Sequence, residues 1–148
     1  MFAPPTVADG IVYLGSDNHV LHAVDAKTGT PKWTFRAGDM VRAAPSVSRG
    51  VVYVGSDDHF LYAVRAASGR LKWKFKTGKT IHANAPVSGD AIYVASADHY
   101  LYAVDTATGR RKWRFKTGGD ASSYPAVSDG VVFLGSDDHF VYALRERH

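Results

Sequence analysis

An all-β fold is predicted by three features of this 148-residue chain. Trp33, Trp73 and Trp113 are equally spaced, and so are Ser16, Ser56, Ser96 and Ser136; internal repetition at about 40 residues marks one supersecondary unit copied along the chain. Within each unit apolar and polar residues alternate at period two, most plainly where Leu71, Trp73 and Phe75 interleave with Lys72, Lys74 and Lys76. No stretch shows an apolar 3.6-residue period with helix caps. One meander of four short strands cannot bury both of its faces, so copies must stack on one another. Radial stacking of four-stranded antiparallel blades around a channel is the β-propeller, of which this chain supplies about 3.75 blades.

The elements follow in order, and the second unit displays them best. Pro45-Ser46-Val47 opens the inner strand, and Val51-Val52-Tyr53-Val54-Gly55-Ser56 is the second. Asp57-Asp58-His59 turns the chain, Phe60-Leu61-Tyr62-Ala63-Val64 is the third strand, Ser68-Gly69 turns again, and Leu71 to Phe75 is the outer strand. Strands of this length, rich in Val, Tyr and Phe and bounded by Asp-Gly, Ser-Asp and Thr-Gly, describe meanders joined by tight turns. The single domain 1–148 divides into repeats 1–40, 41–80, 81–120 and 121–148. The last stops after Val141-Tyr142-Ala143-Leu144 and a charged tail, so its Trp strand is missing.

Composition bounds the chemistry. The hydrophobic share of 45% is ordinary globular material. With no cysteine, disulfides, thiolate metal sites and cysteine nucleophiles are excluded, and the compartment stays open. Met1-Phe2-Ala3-Pro4-Pro5 encodes no secretory signal, and no run approaches the ~20 apolar residues of a membrane span. The net charge of +4 arises largely from Lys32, Arg36, Lys72, Lys74, Lys76, Lys112, Arg114 and Lys116 on the Trp strands. Charge on an outermost strand is the usual device against edge-to-edge aggregation, which explains these residues without a nucleic-acid partner.

Val12-Tyr13-Leu14-Gly15-Ser16, Leu21 to Asp25, Thr28-Gly29 and Trp33-Thr34-Phe35 resemble the repeat of pyrroloquinoline-quinone-type (PQQ-like) β-propellers, in a register that recurs over the whole chain. That family is similar at once to quinoprotein alcohol dehydrogenases, outer-membrane assembly scaffolds and sensor segments of bacterial serine/threonine kinases, so the resemblance implies the fold and leaves function to the sites. A dehydrogenase would imply a calcium-bound quinone stacked on a channel Trp, an adjacent disulfide and a catalytic Asp. Here there is no Cys, every Trp lies on the outer strand, and no carboxylate pair stands apart from the repeating turns. The expectation is a non-catalytic propeller without cofactor, a ligand- or partner-binding scaffold most like the kinase sensor segments. The alternatives are a propeller fragment amplified or engineered without a specialised ligand, and a fragment of a dehydrogenase-related enzyme. Cut from a longer membrane-anchored parent, the chain would be extracytoplasmic.

Two residue groups are candidates for function. The turns contribute Asp17 and His19, Asp57, Asp58 and His59, Asp98 and His99, and Asp137, Asp138 and His139. Equivalent residues of neighbouring blades stand well over 10 Å apart, by the ~10 Å spacing of stacked sheets, whereas a zinc ligand needs ~2.1 Å to the metal. The turns therefore read as backbone-bonding hairpins rather than a metal site. The stretch entering each inner strand is where the units diverge most: Arg42, His82 and Ser122 share one register, and Ala44, Asn84 and Tyr124 another. Such stretches line the channel mouth, so Arg42, His82, Asn84, Ser122 and Tyr124 are the ligand-binding candidates. Trp33, Trp73 and Trp113 read as blade-packing residues.

About half a ring leaves three routes to closure: more sequence in a longer polypeptide, four blades closing alone, or a homodimer closing one eight-bladed ring. Stacking faces left open would expose Val, Ala and Tyr in a large apolar patch, which favours the pair.

Overall fold

The computed structural model describes residues 3–120 and 124–145. Among them there is no helix, and four antiparallel sheets form. Blade one holds β1 (Thr6–Ala8), β2 (Ile11–Gly15), β3 (Val20–Asp25) and β4 (Pro31–Arg36). Blade two holds β5 (Ser46–Ser48), β6 (Val51–Gly55), β7 (Phe60–Arg65) and β8 (Leu71–Lys76). Blade three holds β9 (Val87–Ser88), β10 (Ala91–Ala95), β11 (Tyr100–Asp105) and β12 (Arg111–Lys116). Blade four has three strands, β13 (Ala126–Ser128), β14 (Val131–Gly135) and β15 (Val141–Arg145). Every sheet is ordered as the chain runs, a simple meander.

The first hairpin of blades one, two and four is a two-residue turn with both residues left-handed, as in Asp9 and Gly10 at φ 51° and 75°. Turns of this hand match the right-handed twist of the flanking strands. The first strands lie nearest the axis, where the Thr6 hydroxyl donates to the Pro45 carbonyl at 2.5 Å across the blade boundary.

Period two makes each blade two-faced. Residues Val51, Tyr53, Leu61, Ala63 and Trp73 of blade two pack with Ile92, Val94, Tyr102 and Val104 of blade three. The interleaved residues Val52, Val54, Tyr62 and Val64 pack against Tyr13, Leu21 and Ala23 of blade one. Tyr93, Leu101 and Ala103 meet Val132 and Leu134 in the same way at the third seam. Central strands such as β6 and β10 are consequently buried along their whole length. Stacking is close enough to demand glycine: a Cβ on Gly55 would lie 2.3 Å from the Ile81 Cγ2 atom, and one on Gly15 2.3 Å from Val41 Cγ1.

The outer strand departs from strict alternation. Ala63 faces Trp73 while Val64 faces Leu71, so Lys72 is an extra residue, and Lys32 and Lys112 occupy the same place in blades one and three. A bulge of this kind bends the strand and re-aims its side chains. Leu71, expected on the buried side with Trp73 and Phe75, is instead 43% exposed. The alternation holds from Trp73 onward, with Lys74 and Lys76 exposed and Phe75 half-buried.

Candidate functional site

At one end of the molecule the connector leaving each outer strand threads between the turns of two successive blades. The Val41 amide donates to Ser16 O at 3.2 Å, and the Asp57 amide donates to Met40 O at 2.9 Å. The Ser56 hydroxyl reaches the Asp39 and Met40 carbonyls at 3.2 and 3.0 Å. The next connector repeats this, with the Ala97 amide on Thr80 O at 3.0 Å. Connector and turn residues separated in sequence therefore share one surface, the mouth.

The turns themselves are frame. Asp58 Oδ1 accepts the Phe60 amide at 2.9 Å, while Oδ2 accepts the Gly38 amide at 2.9 Å and the Tyr62 hydroxyl. Asp98 binds Tyr100, Gly78 and Tyr102 identically, and Asp138 binds Phe140, Gly118 and Tyr142. Each carboxylate is thus a clasp between its own blade and the connector from the blade before. Burial first, then the bond to the carboxylate, raises the Tyr62 phenol and pushes Tyr102 up to about 12. The Tyr142 hydroxyl in turn holds Asp138 below the usual carboxylate range. His19, His59, His99 and His139 close the turns at φ 75°, 79°, 74° and 71°, in the left-handed region.

Among the described residues no three of His, Cys, Asp or Glu gather closely enough to hold a metal ion. Ser56 and Ser96 are buried with their hydroxyls directed at backbone carbonyls, an arrangement unsuited to nucleophilic attack.

Asp57 is different. Its side chain is 6% exposed, and it lies between two residues of the divergent connectors: Arg42 Nη2 bonds to its Oδ2, and His82 Nε2 stands 4.0 Å from its Oδ1. His82 Nε2 also shares a 2.6 Å hydrogen bond with Thr80 Oγ1. The Asp57 bond first, then the Asp57, Asp17 and Asp39 charges, hold the Arg42 guanidinium more firmly protonated. Among the described residues two further histidine–carboxylate contacts lie at the mouth, His19 with Asp39 at 3.8 Å and His99 with Asp120 at 2.9 Å. Arg42 and His82 remain about half exposed, Asn84 is half-buried, and Tyr124 is exposed. Ser122 lies outside the described residues.

The sequence separates Arg42 and His82 from Asp57, placing them in different candidate groups; the fold makes them one cluster. The aspartate–tyrosine clasp left a trace, since Asp58/Tyr62, Asp98/Tyr102 and Asp138/Tyr142 recur at i and i+4 and unit one exchanges both members at once, for Asn18 and His22. The tryptophans sit at the rim. The Trp33 and Trp73 indoles donate to Ala66 O and Thr106 O of the following blade, each at 2.8 Å. At the opposite end, Ser48, Arg49, Lys72 and Thr106 border a cleft of about 190 Å³ between blades two and three.

Comparison with known proteins places this arrangement. A family model described as outer membrane protein assembly factor BamB matches residues 2–83 and again 61–147. The chain belongs to that family of PQQ-like propeller repeats. This BamB-type propeller superposes on BamB from Moraxella catarrhalis with a TM-score of 0.86 at 22% identity, over 96% of this chain and 45% of that one. It matches the computationally designed Ika4 protein with a TM-score of 0.87 at 16% identity, over 98% and 91% of the two chains. Quinohemoprotein alcohol dehydrogenase from Comamonas testosteroni aligns with a TM-score of 0.70 at 32% identity, over 82% of this chain and 22% of that. The chain thus spans less than half the length of either natural protein. None of the curated proteins compared with it matches. No helix among the described residues is long and apolar enough to cross a membrane.

Proposed function

We propose that this chain is a non-catalytic propeller scaffold that closes its ring with a second copy and receives a protein or small-molecule ligand at the mouth formed by Arg42, Asp57 and His82. The reading is supported above all by the open blade faces. Tyr13, Tyr53 and Tyr93 are sealed between blades, whereas Phe133, in the same register of blade four, is 41% exposed. A second copy laying its blade one on this face buries it, and two-fold symmetry closes both seams together. The clasps, buried serines and rim tryptophans all serve the frame, which leaves the unlike connectors as the surface that differs between blades and can carry specificity.

Light scattering on the purified chain tests the assembly. With a monomer mass of 16.1 kDa, the pair has a mass of about 32 kDa that persists at micromolar concentration. Phe133→Glu, which puts a charge into the seam, yields the monomer. A compact monomer for the parent chain refutes the pairing.

A further inference from the structure

In blade three the bulged lysine of the outer strand reaches back to the first hairpin, with Lys112 Nζ 3.0 Å from Asp90 Oδ1. Blade two keeps the lysine and reverses the charge of the hairpin. Lys72 occupies its bulge, and Arg49 stands where blades one and four carry Asp9 and Asp129. These three hairpin residues share one left-handed backbone, at φ 49°, 51° and 50°. The exchange therefore alters charge and leaves conformation alone.

Arg49 and Lys72 both border the cleft of about 190 Å³ between blades two and three, beside the polar side chains of Ser48 and Thr106 and the apolar ones of Val51, Tyr53 and Val87. The bulge accounts for the place of Lys72, which is half-buried while Lys74 and Lys76 further along the strand are exposed. Among the described residues no carboxylate forms an ion pair with Arg49 or Lys72, and Asp90 next to the cleft is engaged by Lys112. The field of the hairpin residue reaches inward. Burial raises the Tyr13 and Tyr53 phenols alike, but the Asp9 charge adds to the first rise and the Arg49 charge opposes the second. Two like charges beside a partly apolar cleft repel one another and lose hydration, and an anion seated there relieves both.

We propose that this cleft binds a small carboxylic acid with an aromatic or branched apolar body, its carboxylate held by Arg49 and Lys72 and its body against Val51, Tyr53 and Val87. A guanidinium fork matches a planar carboxylate with two parallel bonds, and lysine adds a point charge. A cavity of about 150 Å³ holds a benzene ring, so this cleft takes one ring and leaves little room for a longer body. The site needs blades two and three alone, and is independent of the ring closure and of the mouth.

The test titrates benzoate into the full chain and follows backbone amides by NMR. Saturable shifts at one benzoate per chain are expected in residues 48–53, 87–89 and 106. Benzyl alcohol, which keeps the ring and drops the charge, binds about tenfold or more weakly. Arg49→Asp places the residue of blades one and four on a backbone that already suits it, and weakens benzoate by about tenfold or more. Lys72→Gln acts in the same direction, and Lys32→Gln in blade one leaves binding unchanged. Equal binding of benzyl alcohol, parental affinity in Arg49→Asp, shifts confined to the mouth, or no binding overturns the proposal. Tighter binding of phenyl phosphate or of N-acetylphenylalanine also overturns it, the first by assigning a phosphate and the second the carboxyl end of a polypeptide.

Discussion

Trp73 joins three functions in one side chain: its ring is buried beside Tyr53 at a centroid distance of 5.8 Å, its indole N–H satisfies Thr106 O, and its face fills the space left by Gly109. Trp73→Ala removes the packing and the hydrogen bond to the partly buried Thr106 carbonyl, for a loss of about 3–5 kcal/mol. Lys74→Ala on the same strand loses only an exposed contact with the Phe60 ring, about 0.5–1 kcal/mol. Chemical denaturation of the two variants checks the order, and equal losses would place Trp73 outside the seam. The tryptophan role was legible because a large aromatic recurs in register three times. The Arg42–Asp57–His82 cluster was not, because it depends on two loops meeting across a blade boundary, and local spacing carries no information about that encounter.

At the scale of the strand, the seam between β6 and the connector behind it is set by paired sizes. Gly15 meets Val41 and Gly55 meets Ile81; in the sequence, unit three carries Ala95 in the glycine register and unit four opens on Ala121 in the Val41 register. Gly55→Ala therefore forces Ile81 aside and destabilises by about 1–3 kcal/mol. In an Ile81→Ala background the same change is close to neutral, and a double-mutant cycle by denaturant titration measures the coupling. The strands themselves were readable from period two and from their Asp-Gly and Thr-Gly boundaries. The bulge was hidden by letters that keep alternating through Leu71-Lys72-Trp73. Its trace lay between units, since the position of Leu71 holds Pro31 in unit one and Arg111 in unit three. A core site does not exchange leucine for proline and arginine.

For the whole molecule, the clasps tie stability to pH. The Tyr102 phenol is pushed up to about 12 and Tyr62 is raised, so the fold favours their protonated forms. A group whose folded pKa exceeds its unfolded value stabilises fully below the unfolded value, ~10 for tyrosine, and the contribution is lost as pH rises through the folded one. Denaturant midpoints fall from about pH 10 to pH 12, and Tyr62→Phe with Tyr102→Phe flattens that slope; an unchanged slope in the double variant would remove the clasps from the account. In acid the sign reverses: Asp25, Asp105 and Asp138 are lowered, the first two chiefly by backbone amides and the third by Tyr142, so their contribution is present above the ordinary carboxylate range and fades as pH falls below it.

The seam hydrogen bonds from Trp33 to Ala66 and from Trp73 to Thr106 each span only 33 residues. Blades one and two are therefore each locked by the blade that follows directly, and folding can advance along the chain like a zipper. Loop-closure entropy stays nearly constant from one seam to the next, and mean contact separation does not grow with the number of blades, which favours fast folding for an all-β chain. A nascent polypeptide can secure blade one as soon as blade two has left the ribosome, so each seam between consecutive blades stays open only until the next blade emerges.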